Sequence, residues 1–310
     1  MITVKNITKC FGSLRVLNNI SFEIGNGEIV GFLGQNGAGK TTLMRILTSY
    51  LTPTSGDVYY DDLNIQNNSL EARRRLGYLP EMPPLYHEMS VKSYLKFSAE
   101  LKNVPVREIT ASVDRALSDC RLNNVCNKRI GVLSKGYKQR VGLAQAIIND
   151  PDILILDEPM SGLDPVQILQ VRTLIKNLEH KRTVILSTHI LSEIERIVQR
   201  VMFIKAGSVI KDTSIDSLAE TENRTFVVKV KSDEQFLQNV LKDITCATLL
   251  DVKTIRDCCE VSLSVPRSEE NVNTIAAVLT EKRVSILEII ESRPSLEQKF
   301  IEVISEEDHA

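Results

Sequence analysis

The chain of 310 residues lacks a long apolar segment and lacks an excess of charge of either sign. A helix that crosses a bilayer needs about 18 to 20 consecutive apolar residues, and no stretch of the sequence approaches that length. The 38 lysines and arginines are balanced by 40 aspartates and glutamates, so the net charge is only −2. We therefore expect no membrane span and no global electrostatic field that attracts nucleic acid or anionic lipid.

Two further features are missing, a secretory signal and paired cysteines. The first residues do not form a basic segment followed by an apolar one, as a signal peptide does. The six cysteines show no C-x-x-C spacing, which argues against a zinc site and against a disulfide framework. Both absences favour a cytoplasmic chain. At about 150 residues per domain, the length predicts two domains.

The first two thirds of the chain alternate short apolar runs with longer segments of helical periodicity. The runs at 28–33, 153–156, 183–186 and 201–204 are typical of strands buried on both faces. Their alternation with helices predicts a mostly parallel α/β sheet. Strands at 2–8, 21–24 and 57–60 are expected to form an antiparallel flank, and residues from about 85 to 149 a helical subdomain. We expect residues 1–220 to form this domain.

The remaining residues, 221–310, predict a smaller α+β domain. Strand and helix patterns follow in the order βαββαβ, with a helix at 236–244 and a further helix from Pro294 at the end. This order matches the ferredoxin-like arrangement. No cluster of titratable residues and no glycine-rich loop occurs in this part of the sequence, so we expect an accessory role.

A phosphate-binding loop is the strongest chemical signal. Residues 34–42 fit the pattern G-x-x-x-x-G-K-[ST], and they lie between a predicted strand and a predicted helix, as the pattern requires. Glycines let successive backbone N–H groups turn toward phosphate oxygens, and the helix start adds its positive dipole end. Lys40 is expected to reach the β- and γ-phosphates, and the Thr41 hydroxyl to bind Mg²⁺. The loop consists of Gly34, Gln35, Asn36, Gly37, Ala38, Gly39, Lys40, Thr41 and Thr42.

Two carboxylates, Asp157 and Glu158, follow the apolar run at 153–156. The carboxyl ends of buried parallel strands are where ligands bind in α/β sheets. We expect Asp157 to hold Mg²⁺, directly or through water, and Glu158 to activate the water that attacks the γ-phosphate. A strand followed by a solvated acidic turn is the alternative, and the neighbouring phosphate loop disfavours it.

Residues 133–140, LSKGYKQR, resemble the LSGGQ-x-QR signature of ATP-binding cassette (ABC) proteins. The resemblance extends in order over residues 1–212 and is greatest to the ABC-2-type export subgroup, which includes gliding-motility and multidrug-resistance ATPases. It implies a P-loop NTPase fold with a RecA-like core, an antiparallel β flank and a helical subdomain. The further matching segments are Phe11 and residues 78–81, 157–159, 161–164 and 187–189.

The resemblance also implies roles for single residues. Phe11 would stack on adenine, and His189 would bind the γ-phosphate and act in catalysis with Glu158 and Lys40. Asp164 would lie in a loop that contacts the opposite subunit. Ser134 and Gly136, at the start of a helix beginning near Tyr137, would face the ATP of that subunit. Hydrolysis would then require a homodimer or a pair with a related ABC ATPase.

Two residues depart from the usual ABC pattern. Glu81 stands where most members carry glutamine. An oxygen of its side chain would bind Mg²⁺ or hold a water molecule, and its added negative charge near the triphosphate is expected to strengthen metal dependence. Lys135 replaces the first glycine of the signature, and its side chain either approaches the neighbouring nucleotide or points to solvent.

The resemblance implies a subunit that binds ATP and Mg²⁺ as cofactors and hydrolyses ATP to power transport. Export is the favoured direction. The partner would be a separate integral-membrane ABC-2-type permease, which would hold the chain at the cytoplasmic face of the membrane. The apolar stretch at 82–86 is a candidate contact for a partner helix. The alternatives are a soluble ABC ATPase linked to ribosomes or DNA and a regulatory module, but we expect no nucleic acid partner.

Overall fold

The computed structural model describes residues 1–178, 182–219, 223–232, 237, 240, 247–255, 258–266 and 269–292. These residues divide into two compact units, Met1–Ile215 and a second unit that begins at Asp216. Among the described residues, no helix has the combination of length and hydropathy required to span a bilayer.

The first unit contains two sheets, seven α-helices and two short 3-10 helices, Asn123–Val125 and Ile130–Val132, among its described residues. Its strands are β1 (Ile2–Phe11), β2 (Leu14–Ile24), β3 (Ile29–Leu33), β4 (Ser55–Tyr60), β5 (Leu63–Asn64), β6 (Leu76–Leu79), β7 (Ile153–Asp157), β8 (Thr183–Thr188), β9 (Arg200–Lys205) and β10 (Ser208–Ser214). Its helices are α1 (Lys40–Leu47), α2 (Ser69–Arg74), α3 (Val91–Leu101), α4 (Ile109–Asp119), α5 (Lys135–Ile147), α6 (Pro165–Asn177) and α7 (Leu191–Ile194). A short helix, α8 (Ile215–Ala219), follows at the boundary.

The larger sheet has the strand order β10-β9-β3-β8-β7-β6. The five strands from β9 to β6 are parallel, and β10 pairs antiparallel with β9 at one edge. Every residue of β3, β7 and β8 is buried, which is why these strands are continuous apolar or β-branched runs. The predicted parallel α/β sheet is confirmed. The edge strand β10 has no counterpart among the predicted strands, because most of its residues are only partly buried and polar.

The smaller sheet of the first unit is antiparallel, with the order β2-β1-β4-β5. Helix α1 lies in a core formed with both sheets, since its residues Leu43, Met44 and Leu47 share one buried cluster with Ile2 and Phe32. The helix that begins at the phosphate loop is therefore fixed on two sides. The predicted antiparallel flank is confirmed.

Helices α3, α4 and α5 pack together as a helical subdomain. Helix α5 begins two residues earlier than predicted, at Lys135 rather than near Tyr137. The reason is the N-cap: the Ser134 hydroxyl accepts a hydrogen bond from the Tyr137 backbone N–H at 3.5 Å, so helical geometry starts directly after Ser134.

The second unit has one antiparallel sheet with the order β12-β13-β11-β14 and a helix, α9 (Glu269–Glu281). This order corresponds to the predicted βαββαβ arrangement. The predicted helix at 236–244 lies outside the described residues except for Leu237 and Val240, and the predicted helix from Pro294 lies wholly outside them. The strands are β11 (Asn223–Lys231), β12 (Thr248–Ile255), β13 (Cys258–Pro266) and β14 (Ser285–Ser292).

Candidate functional site

Three adjacent parallel strands bring the predicted site residues to one edge of the larger sheet. In the register of the sheet, Leu33 at the end of β3 pairs with Thr188, and Asp157 at the end of β7 pairs with Ser187. Because the strands are parallel, their carboxyl ends lie together. The phosphate loop after β3, the carboxylates after β7 and His189 after β8 therefore converge.

The loop between β3 and α1 has a backbone that only glycine adopts without strain. Gly37 and Gly39 have φ angles of +84° and +105°. At Gly34, an added Cβ would lie 2.3 Å from the backbone oxygen of Ile204. Gln35 and Gly37 are exposed, so the outer turn of the loop is open to a ligand.

The Lys40 ammonium is buried inside this loop, with only 5% of the residue exposed. Its Nζ donates hydrogen bonds to the backbone oxygens of Gly34 (2.6 Å) and Gln35 (3.2 Å). The same Nζ lies 3.6 Å from Oε1 of Glu158. These partners hold the buried ammonium in place. When a phosphate binds, one of these interactions can be replaced by a hydrogen bond to a phosphate oxygen.

Asp157 combines one satisfied carboxylate oxygen with one that has no hydrogen-bond partner. Its Oδ1 accepts from the hydroxyls of Ser187 (2.5 Å) and Thr41 (3.3 Å). Its buried Oδ2 has no hydrogen-bond partner among the described residues. Burial raises the pKa of Asp157, and the bonds from Ser187 and Thr41 oppose that rise. One free carboxylate oxygen beside a hydroxyl suits Mg²⁺, which takes its other ligands from phosphate and water.

Glu158 is held in an unusual backbone conformation. Its φ angle is +46°, and its N–H donates to the backbone oxygen of Ser187 at 3.2 Å and to the Ser187 hydroxyl at 3.1 Å. Such a conformation costs about 1 to 3 kcal/mol and persists where the surroundings fix it. The buried side chain meets His189 Nδ1 at 3.0 Å through Oε2. The tautomer that carries its proton on Nδ1 donates to this carboxylate.

Ser187 contributes more to the site than its sequence position indicated. Its hydroxyl bonds Asp157 and its two oxygens receive the Glu158 N–H, so one residue fixes both carboxylate positions. In the sequence it was only part of the matching segment before His189. The signal available in the sequence is its place directly after the predicted strand at 183–186, because ligands bind at the carboxyl ends of parallel strands.

A second group of predicted residues lies between the starts of α5 and α6. The Asp164 side chain caps α6 by accepting from the Gln167 N–H at 2.9 Å. Gly136 packs closely against the Gln167 side chain, since a Cβ added at Gly136 would lie 2.5 Å from Gln167 Oε1. Among the described residues, no hydrogen bond or ion pair joins Ser134, Gly136 or Asp164 to Lys40 or Glu158. The two groups are separate within one chain.

Lys135 is exposed, as the solvent-facing alternative expects, and its ammonium also lies beside the loop before α6. Its Nζ lies 2.0 Å from the position that a Cβ on Gly162 would occupy, so the side chain covers the loop before α6. Gly162 has a φ of +66°, which also favours glycine there.

Phe11 and Glu81 are more loosely placed than the central residues. The Phe11 ring is 50% exposed, and the Lys9 ammonium lies 5.1 Å from its centroid. Glu81 is exposed, and its charge adds to the rise in the pKa of Asp157. Within the described part of the chain, no hydrogen bond or ion pair connects Glu81 to Thr41 or Asp157. The metal role of Glu81 stays a prediction.

Comparison with known proteins identifies the family. Residues 17–161 match the family model for ABC transporters. Over 98% of its length the chain is 31% identical to the bacitracin transport ATP-binding protein BcrA of Bacillus licheniformis, of which 97% is covered. The chain belongs to the ABC transporter family. It is also 33% identical to the lantibiotic transport ATP-binding protein SrtF of Streptococcus pyogenes, over 72% of this chain and 94% of that protein.

Solved ABC structures agree with the fold of the first unit. The dimeric ATP-binding cassette MJ0796, in a post-hydrolysis state bound to ADP and Pi, matches with a TM-score of 0.64 and 26% identity. The match covers 69% of this chain and 99% of that one. As a member of the ABC family, the chain binds ATP and hydrolyses it.

Proposed function

We propose that the chain is the ATPase subunit of an exporter and that it binds ATP with Mg²⁺ at the carboxyl ends of β3, β7 and β8. The observation that supports this most is that the buried Glu158 carboxylate meets both the buried Lys40 ammonium and the exposed His189 ring. In this proposal residues 1–220 form the ABC ATP-binding domain, and residues 221–310 form an accessory domain.

Each residue of the group has a distinct task in the proposed reaction. Lys40 binds the β- and γ-phosphates. Asp157 and Thr41 would hold Mg²⁺, whose positive charge would offset that of the phosphates. Glu158 accepts a hydrogen bond from the attacking water and takes its proton. The His189 ring orients that carboxylate through Nδ1. Since phosphoryl transfer needs little covalent help, positioned charge supplies most of the catalysis.

The separate group at the starts of α5 and α6 supports a dimer. Among the described residues, Ser134, Gly136 and Asp164 form no hydrogen bond or ion pair with Lys40 or Glu158, and we assign them to the site of a second copy or of a related ABC ATPase. The helix start at Ser134 offers N–H groups and a positive dipole end to that nucleotide. Sedimentation of the Glu158→Gln chain should show ATP-dependent pairing.

A groove between α1, β6 and α3 supports a membrane partner. This subdomain groove has a volume of about 720 Å³ and a largely apolar lining that includes the exposed side chains of Met82 and Tyr86. Among the described residues that line the groove, none is a carboxylate and four are cationic, namely Arg45, Arg73, Arg74 and Lys102. An ABC-2-type permease segment with an apolar face and carboxylates would complement this surface. Such docking would place the chain at the cytoplasmic face of the membrane.

The cargo we propose is an amphiphilic peptide antibiotic, since BcrA and SrtF are named for bacitracin and lantibiotic transport. Cells that carry the chain in its native gene context should tolerate more bacitracin than cells in which it is replaced by the Lys40→Ala variant. Equal tolerance would contradict this cargo. ATP-dependent association with ribosomes, without membrane association, would instead support the soluble alternative.

A further inference from the structure

The sheet of the second unit has an apolar face and a polar face. The apolar face is covered, because Leu279 of α9 lies in one buried cluster with Val228 and Val261 of the strands. Side chains alternate between the two faces along each strand. The residues next to the core residues in sequence therefore form the other side of the sheet, which we call the outer face.

The register of the strands places four charged residues in one row across the outer face. Lys229 of β11 pairs with Glu288 of β14 on one side and with Glu260 of β13 on the other. Glu260 in turn pairs with Lys253 of β12, whose ammonium also lies 3.0 Å from Asp251. Directly opposite residues of antiparallel strands point to the same face. The row, with exposed ends and a half-buried centre, is Glu288, Lys229, Glu260 and Lys253.

This charge row is complementary to its own reverse. Its charges alternate negative, positive, negative, positive, so the reversed row begins with a positive charge and alternates in the opposite sense. A two-fold axis that runs parallel to the strands between two facing sheets reverses one row against the other. Each carboxylate then lies opposite an ammonium, with Lys229 opposite the second copy's Glu260. A two-fold axis across the strands would place like charges opposite, so the charges select one arrangement.

We propose that the outer face of this sheet binds the same face of a second copy of the chain, with the two charge rows reversed. Lys229 and Glu260 contribute most, because they lie beside the axis, where the angle of about 30° between packed sheets displaces them least. Val227 and Ile290, which pair with each other on the same face, add apolar area. The surface lies outside the proposed nucleotide site, and this pairing needs no nucleotide.

Sedimentation of the full chain without nucleotide and with EDTA measures this pairing. The dissociation constant should rise about tenfold between about 0.05 M and 0.5 M salt, because salt screens exposed charges. At low salt, Lys229→Glu should raise it by about tenfold or more, since two like-charge contacts then replace two attractive ones. Glu260→Lys should have the same effect for the same reason. Lys211→Glu, at an exposed position of the first unit, is the control and should leave it unchanged.

A mixture of the two charge-reversed variants provides the sharpest test. The row of Lys229→Glu is complementary at all four positions to the reversed row of Glu260→Lys. The mixture should therefore pair at least as tightly as the unaltered chain, although neither variant pairs well with itself. Damage to the fold of the second unit would not be repaired by mixing, and denaturant unfolding of each variant measures that fold separately.

Three outcomes would overturn this inference. They are an unaltered chain that stays monomeric at low salt, a mixture that pairs no better than its components, and a loss of binding to a copurified membrane protein as the main effect of Lys229→Glu. The last outcome would assign the outer face to that protein. ATP-dependent pairing of Glu158→Gln would remain in each case, so the proposed function stands or falls separately.

Discussion

The two units of the chain differ in where glycine and buried polar groups occur. All 14 glycines lie between Gly12 and Gly207, and the sequence after Gly207 contains none. Among the described residues, every buried polar or charged side chain also belongs to the first unit. A phosphate loop needs left-handed backbone and buried charge, whereas an antiparallel sheet with an apolar core needs neither. The backbone and the buried charge that phosphate binding requires therefore occur in the first unit.

The largest expected effect follows from removing the charge of the proposed base. Glu158→Gln should lower the rate of ATP hydrolysis by about 10²-fold or more and leave ATP binding intact, because the amide cannot accept a proton from water. Phosphate release and calorimetric ATP binding measure the two quantities. Glu195→Gln removes a carboxylate outside the site and should change neither. Normal turnover by Glu158→Gln would show that another group activates the water.

Contiguous features were predictable from sequence. Residues 34–42 and the pair Asp157 and Glu158 each occupy one strand end or loop, so local spacing determines their geometry. The alternation of strands and helices likewise predicted the parallel sheet. In the second unit, alternation of Val261, Leu263 and similar residues predicted half-buried strands, and one face of that sheet is buried.

Contacts between distant segments were not predictable. The bonds from Ser187 to Asp157 and Glu158 depend on β8 lying beside β7, an order that local patterns do not determine. The position of Lys135 over Gly162 requires the start of α5 to meet the loop before α6. The left-handed conformation of Glu158 has no sequence signal, because glycine is the residue that usually marks such positions.

A core substitution in the second unit should have the opposite profile to Glu158→Gln. Val261 is 1% exposed in the apolar core of that unit, and Val261→Ala should lower the free energy of unfolding by about 2 kcal/mol. ATP affinity should stay unchanged. Denaturant unfolding and ATP calorimetry provide the comparison, with Val227→Ala, at a partly buried position of the same sheet, as the milder control. A loss of ATP affinity would show that the second unit supports the nucleotide site.

The smallest expected change in stability concerns two aspartates whose pKa values are shifted in opposite directions. Burial raises the pKa of Asp157, so its ionised form destabilises the folded chain at neutral pH. Asp157→Asn should therefore raise the free energy of unfolding of the nucleotide-free chain by about 1 kcal/mol, while Mg²⁺-dependent hydrolysis is lost. The gain should shrink as pH falls toward the ordinary value of 3.8, because the native carboxyl then becomes protonated.

Asp251 in the second unit is the control. A hydrogen bond from Lys253, whose ammonium lies at 3.0 Å, lowers the pKa of this exposed carboxyl. Its contribution to stability is present above the ordinary value and is lost as pH falls through the lowered one, so Asp251→Asn should give no gain at neutral pH. Unfolding curves at several pH values measure both variants. If the Asp157→Asn variant were no more stable than the unaltered chain, the buried ionised carboxylate of Asp157 would not destabilise the nucleotide-free fold. Metal binding would then not relieve such a cost.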